Sequence, residues 1–583
     1  MLLGINLMEY KSVMFKKTFI SSKFFSMLTG GIVTAFFGSF TIMIDTFIAG
    51  IRLGEAAVTG INMVLPIYYL ASFFALLFSL GVPILYSKEI GAFEREEADR
   101  TFGVGVFGTG VIGFIMFILL FFCGNMYLDY YGAGSTALLP ARDYLFWMKF
   151  FVLITPFESL FSDMVYSDGD EFLSILAKVV SVVSHIILSV LLAPVMGTSG
   201  LSLASFLSLL LSIVILFFHI PKKRNSLHLK LCFSRAKLRS IVRFSIVDSS
   251  TYLFLMVFLA IMNKYIAWTF GSEMLIIISI VSFVQEVQFL FDGVGTALTP
   301  IISVYLGERT YNGVEEVWKL ARKTAVVLSI IVIGFIFVCA PFIVRFLGIE
   351  DPGKAQIAVH GLRMISLTLV FTSRMFLESS YFILIEKIPL GVLICALRDL
   401  VVAVPLAVIG GKVLGIYGMF VGLMLAPALG YLLSYVYICL RYGKDSYVLF
   451  IPPVEKERHI WMYEFRVDPD SIVVTRDRIG DTLRNSGHGN TTINRVMVLF
   501  EELFMLVYDL NPNKSVLAEC IVEAGNSIRI ITKDNGVYYD LTDSDRKVDS
   551  LRAYVVSDLT DGFVHKKINF ASLSFNRNAF ELK

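Results

Sequence analysis

Charge is scarce in this chain. Asp, Glu, Lys and Arg make up 17% of its 583 residues, against roughly 25% in soluble domains. Hydrophobic residues reach 56% and mean hydropathy is +0.73. Such a chain cannot cover a water-facing surface over most of its length, which excludes a soluble enzyme as its main body. An excess of one sign is missing too: a net charge of +2 gives no basic field for nucleic acid. Cysteine is sparse and scattered, at Cys123, Cys232, Cys339, Cys395, Cys439 and Cys520. Without CxxC or metal spacing, neither a disulfide framework nor a zinc site is supported. No Walker loop or Ser/His/Asp order is present. No signal peptide is evident, because Lys11, Lys16, Lys17 and Lys23 precede a first span too long for one.

What the chain has instead is long uncharged runs. Phe24 to Ile44 holds no charge over 21 residues, and about 20 suffice to cross a bilayer. Ala56–Ser87, Thr101–Leu128, Val195–Ile220, Thr324–Val344 and Val413–Leu440 are alike. Six further apolar stretches carry one to three ionisable residues, so twelve spans are expected. The connection after the sixth is basic (Lys222, Lys223, Arg224, Lys230, Arg235, Lys237, Arg239), as is that after the eighth (Arg309, Lys319, Arg322, Lys323). By the positive-inside rule both termini are cytoplasmic, in a multi-pass inner (plasma) membrane protein.

The two halves repeat. Ile44–Ala49 matches Met262–Ala267 at a shift of 218, Pro83 matches Pro300 at 217, and Gly197-Thr-Ser-Gly200 matches Gly415-Ile-Tyr-Gly418 at 218. Six helices is an even number, so both repeats insert the same way round, a plan used by secondary transporters. The expected organisation is a tail at 1–20, an N-lobe at 21–220, a basic linker at 221–240, a C-lobe at 241–440, a linker at 441–457 and a soluble domain at 458–583.

Asp45-Thr-Phe-Ile-Ala-Gly50, Leu53-Gly54-Glu55-Ala56-Ala57, Gly81 and Gly91-Ala92-Phe93-Glu94 together resemble the start of a multidrug and toxic compound extrusion (MATE) transporter. Gly197-Thr-Ser-Gly200-Leu-Ser-Leu-Ala204 resembles its fifth-to-sixth-span junction. The resemblance covers about 21–440. It implies two six-helix lobes and export of small organic, cationic or drug-like compounds, driven by inward sodium or proton flow. It also places a coupling aspartate at Asp45. Two spans depart from the family: Gly30-Gly31 stands where a proline is usual in the first, and His185 and Ser189 stand where Asn and Asp are common in the fifth.

Ionisable groups inside a membrane are functional candidates by default. Asp45 leads, with Asn263 as its repeat partner; Glu286 and Asp292 follow as coupling-ion or substrate groups. Arg374 and Glu378, four apart, can pair along one helix face. Arg398-Asp399 can neutralise locally. Glu158, with Asp163 and Lys149, reads as structural or cavity charge, and His185 as a core histidine.

After Leu440 the composition becomes that of a soluble domain. Asn490–Leu510 reads as an amphipathic helix, and Val516–Glu523 and Ser527–Thr532 as a hairpin around Ala524-Gly525-Asn526. An α/β two-layer sandwich is expected. Glu501-Glu502-Leu503-Phe504-Met505-Leu506 and Thr532-Lys533-Asp534-Asn535-Gly536 resemble the ATP-binding fold of histidine kinases and anti-sigma-factor kinases. The resemblance implies a nucleotide-like site at Glu502, Asp534 and Gly536. Leu506, however, stands where a magnesium-holding Asn belongs, and leucine cannot ligate magnesium. A degenerate, non-catalytic domain is expected, which either binds a nucleotide loosely or acts as a docking module for a cytoplasmic regulatory protein. Two other functions compete with export: a flippase for lipid-linked precursors, and a membrane sensor signalling through the soluble domain. No firm cofactor and no oligomeric state are read from the sequence.

Overall fold

The structure is a computed structural model. It describes residues 18–582 apart from 92–94, 133–135, 169, 223–226, 231, 308–309, 444–448, 451–458, 513, 525–526, 540–550, 561 and 571–572. Parts of the Gly91–Glu94 motif, the hairpin loop and the Pro452-Pro453 linker therefore lie outside the described residues.

The first half comprises α1 (Phe19–Arg52), α2 (Glu55–Ser79), α3 (Gly81–Gly91), α4 (Arg95–Gly132), α5 (Leu138–Ser167), α6 (Glu171–Met196) and α7 (Thr198–Phe217). The second comprises α8 (Arg235–Thr269), α9 (Ile278–Gln288), α10 (Asp292–Gly307), α11 (Tyr311–Phe346), α12 (Pro352–Ser366), α13 (Leu369–Leu384), α14 (Ile388–Ala396) and α15 (Ala403–Tyr442). Among the described residues nine helical stretches are long and apolar enough to cross a membrane, or ten if α12 and α13, bent by 44°, form one span. Twelve were expected. Part of the difference lies in Ile388–Tyr442, one stretch of 55 residues. Straight, it would run about 80 Å, far beyond a bilayer core. Leu414 and Gly415 break it, Gly415 at φ 64° and ψ −151°. A Cβ added to Gly418 would lie 2.0 Å from the Gly410 oxygen, and one on Gly422 2.2 Å from the Leu406 oxygen, so the two arms fold back on each other.

The same device occurs one repeat earlier. Gly197 takes φ 61° and ψ −140°, a conformation open to glycine, and a Cβ on Gly200 would lie 2.5 Å from the Leu192 oxygen. Gly197 and Gly415, Gly200 and Gly418, and Leu192 and Gly410 are all 218 apart. The repeat is thus visible in backbone geometry as well as in residue identity.

The chain divides into two compact units. One is Ile32–Gly295 with Arg322–Tyr447; the other is Met1–Gly31, Thr296–Ala321 and Val448–Lys583. The second unit contains a five-stranded antiparallel sheet, in the order β1 (His459–Arg466), β2 (Leu517–Ala524), β3 (Ile528–Asp534), β5 (Leu573–Leu582), β4 (Gly562–Phe570). Three helices accompany it: α16 (Pro469–Asn485), α17 (Asn490–Asp509) and α18 (Leu551–Asp558). Asp468 caps α16 through the Ser471 amide at 2.9 Å, with Pro469 at the first turn. The α17 face of Val496, Leu499, Phe500, Leu503 and Val507 repeats at helical spacing. It packs on Cys520, Val522, Ile528, Ile530 and Phe580 from one face of the sheet. The expected hairpin is β2–β3, and β1 precedes the helices in the chain.

Candidate functional site

Asp45 stands on α1, 3% exposed. Three other helices of the first half supply its partners. Tyr144 on α5 donates to Oδ2 at 2.7 Å, Ser205 on α7 to Oδ2 at 2.9 Å, and Ser189 on α6 to Oδ1 at 3.4 Å. His185 Nε2 on α6 lies 2.9 Å from Oδ1 and 3.0 Å from Ser205 Oγ. A carboxylate out of water needs such donors, since an unsolvated charge costs several kcal/mol or more. His185 Nδ1 is buried without a partner among the described residues. That favours the neutral ring with its proton on Nε2, facing Asp45. The Nε2–H of the neutral ring is then a further donor to the carboxylate. The sequence reading of His185 as core packing missed this pairing, and passed over Tyr144 and Ser205 altogether.

Asn263, the repeat partner of Asp45, has no such surround. Its Nδ2 reaches the Asn62 carbonyl at 3.4 Å. At a shift of 218, the positions of Tyr144, His185 and Ser205 are Leu362, Ala403 and Leu423. Among the described residues the polar network exists in one lobe alone.

Glu286 lies on α9, 2% exposed, with Oε1 accepting from the Tyr69 hydroxyl of α2 and Oε2 unpartnered among the described residues. Tyr69 and Glu286 are 217 apart, the repeat shift itself. Repeat mates that touch must lie at the axis relating the halves. There they line a cavity of ≈ 20 Å³ with Asn62, Ser279 and Ser282, about the room one water takes. The Asn62 side chain and the Ser282 hydroxyl are also buried without partners among the described residues. Met43 and Thr46 line the same cavity from α1, so one turn of that helix offers Asp45 to the lobe interior and Thr46 to the axis.

Asp292 opens α10 and is exposed; Asp248 on α8, half-buried, lies within electrostatic reach of Asp292 and Arg398. Asp248 was not singled out from the sequence. Arg398 does neutralise its neighbour: Nη2 to Asp399 is 2.7 Å, and the guanidinium sits 3.6 Å over the Phe376 ring. Arg374 and Glu378 stand one turn apart on α13, Glu378 at 3% exposure. Glu158 on α5 accepts from Ser212 at 2.6 Å. The structure brings neither Glu286 nor Asp292 into Asp45's hydrogen-bond set. Among the described residues no cluster of three His, Cys, Asp or Glu side chains could hold a metal ion.

Near the C-terminal sheet Asp534, at the end of β3, is fully buried. It accepts from the Gly536 amide at 3.0 Å, Asn576 Nδ2 at 2.8 Å and the Tyr539 hydroxyl at 3.0 Å. Glu502 is paired with Arg552 at 2.7 Å. Glu502, Asp534 and Gly536, expected as a nucleotide-like site, are thus bonded within the protein.

A family model described as MatE matches residues 32–191 and again 249–409, more than half of the chain. The two matches begin one repeat apart. Among solved structures, an inward-facing multidrug resistance MATE family transporter of the MOP superfamily aligns with TM-score 0.62 at 19% identity, over 69% of this chain and 94% of that one. An outward-facing multidrug resistance MATE family transporter gives 0.61 at 19%, over 72% and 95%. A MOP superfamily transporter from Pyrococcus furiosus Vc1 (DSM3638), described by the reverse polarity of its binding pocket, gives 0.61 at 18%, over 73% and 96%. At these identities the likeness is one of fold. None of the curated proteins matches the sequence.

Proposed function

The chain belongs to the MATE family of membrane transporters, and from that premise we propose that it exports small organic cations or drug-like compounds by antiport with sodium or protons. The observation that carries this reading is the Asp45 network: a buried carboxylate held by donors from three other helices in one lobe only. Loading a proton or cation there changes what the lobe's helices can bond to, which is how an ion gradient can drive rocking. The imidazole at 2.9 Å favours the proton. Glu286 and Asn62 at the axis are offered as the substrate-facing groups, and Asp292 with Asp248 as a second acidic pair.

Twelve spans follow if α1 counts as one and the two arms around Gly415 as two. With the basic loops inside, both termini face the cytoplasm of an inner-membrane protein. The soluble domain is read as non-catalytic.

The test is efflux of a fluorescent lipophilic cation from proteoliposomes, with sodium and proton gradients imposed separately, for wild type and Asp45→Asn. Gradient-driven flux lost in the variant supports the reading and names the ion. No flux with either gradient overturns it. Flux unchanged in Asp45→Asn moves coupling elsewhere, with Glu286 next.

A further inference from the structure

A sheet with helices on one face ordinarily shows its other face to water, where charged side chains cost nothing. Here that face is covered. Glu464, Glu519, Lys533 and Arg577 stand directly opposite one another across β1, β2, β3 and β5. Glu519 is 0% exposed and Lys533 1%.

The cover is the ends of three long helices. Tyr305, near the end of α10, donates its hydroxyl to Glu519, and Lys533 Nζ sits 4.0 Å above the Tyr305 ring and 3.2 Å from Glu519. The Ile20 amide, in the first turn of α1, donates to Glu464 Oε1 at 2.8 Å, and Phe19 meets Phe575 edge-on at 5.7 Å. Asn312, at the start of α11, donates to the Ile460 carbonyl at 3.3 Å.

We propose that the charged face of the C-terminal sheet is a reversible docking surface for these helix ends, and that the docked domain restrains the carrier. Three arguments support this. The contact sets the charged row Glu464, Glu519, Lys533 and Arg577 beside buried apolar Ile521, Ile531 and Phe575, so it is less apolar than a permanent seam would be. The helices it holds come from both repeats, α1 from the first and α10 and α11 from the second. A body fastened to both halves at one side opposes their separation there.

The third argument is charge balance. Facing Glu464 are Glu519 on β2 and Glu316 on α11; Lys533 and Arg577 lie further along the row, and Lys23 on α1. Burial pushes the Glu464 carboxyl up to about 7, with Glu519 and Glu316 adding to the rise, against the Ile20 amide and Thr18 hydroxyl that lower it. Undocked, Glu464 returns towards its ordinary 4.5. The docked state therefore holds more protons, so docking strengthens as pH falls through 7. Between pH 8 and pH 6 the docking constant should rise roughly tenfold.

The experiment is amide hydrogen exchange on the full chain in nanodiscs at pH 6 and pH 8, corrected for intrinsic rates, alongside proteoliposome flux. We expect protection of 517–534 and 296–307 to fall about tenfold from pH 6 to pH 8. Glu464→Gln should stay protected at both pH values. Tyr305→Phe should lose protection on the face at both, while amides of Leu499–Val507 in the domain's own core remain protected, and its flux should exceed wild type. The proposal is overturned by pH-independent protection in wild type, by pH dependence surviving Glu464→Gln, or by face and core opening together in Tyr305→Phe. Flux unchanged in Tyr305→Phe overturns the restraint. The restraint rests on the transport reading, but docking does not: absent flux in every variant fails that reading while the exchange result stands.

Discussion

Lys533→Met is the perturbation that isolates the buried pair. Methionine keeps the length of the lysine stem and removes its charge. Glu519, at 0% exposure, then loses a counter-ion 3.2 Å away. Breaking a buried pair from one side costs about 3–5 kcal/mol, because the remaining charge is left without compensation. At about 1.4 kcal/mol per decade, this is a rise of roughly two to three and a half decades in the opening constant of β2 and β3. Adding Glu519→Gln removes the stranded charge. The double variant should return to within about 1–2 kcal/mol of wild type, since a neutral replacement for a buried pair is often nearly cost-free. Amide exchange of 517–534 in the full-length protein reads both numbers, with denaturant melting avoided because the chain has more than one unit. The reasoning is refuted if Lys533→Met costs less than about 1 kcal/mol, or if the double variant costs the sum of the singles.

In the first lobe, Ser205→Ala and Tyr144→Phe each remove one hydrogen bond to Asp45. A bond to a charged group contributes about 1.5–3 kcal/mol, so initial gradient-driven efflux should fall by about tenfold or more in each, at wild-type yield of folded protein. At the crossing of the last two helix arms, Gly418→Ala places a methyl 2.0 Å from the Gly410 oxygen, whereas Gly30→Ala meets nothing within 4 Å. Thermal melting followed by size exclusion should show Gly418→Ala lowered by about 3 kcal/mol or more and Gly30→Ala within about 1 kcal/mol of wild type.

The membrane part was legible because hydropathy and repetition are one-dimensional signals. Uncharged runs mark helices, and a constant shift between matching residues marks the repeat; Gly197 and Gly415 carry it into backbone geometry. Lys412 sets the uncharged run Val413–Leu440 apart from the apolar stretch before it, and the backbone break at Leu414 and Gly415 falls at the start of that run. Asp45 stood out as an acid in an apolar run, but its partners did not, because Tyr144, His185 and Ser205 lie 99, 140 and 160 residues away. A signal was available: comparison of the halves shows each of these polar residues facing a Leu or Ala in the repeat. Lys533 and Glu519 were hidden for another reason. Alternation along β2 and β3 reads as an ordinary wet face, and nothing local says that Tyr305, more than 200 residues earlier, covers it.

That asymmetry between halves makes Asn263→Asp a sharp test of how the lobe was built. Asn263 is 2% exposed and donates to the Asn62 carbonyl at 3.4 Å. Aspartate there replaces a donor with a charge and turns an oxygen towards that carbonyl. The donors that serve Asp45 have no counterparts, because their repeat positions are Leu362, Ala403 and Leu423, all buried. A carboxylate placed among them costs several kcal/mol unless it stays protonated. Asn263→Asp should therefore melt well below wild type and gain no second coupling site, with ion stoichiometry per substrate unchanged in proteoliposomes. Adding Leu423→Ser supplies the counterpart of the Ser205 hydroxyl and should recover part of the loss, although Leu423→Ser alone destabilises by opening a hole. If Asn263→Asp melts like wild type, water reaches that position and the argument from missing donors fails. If it is unstable and Leu423→Ser only adds to the damage, the two lobes are not superimposable at side-chain level, and the donors at Asp45 owe their placement to something other than the repeat.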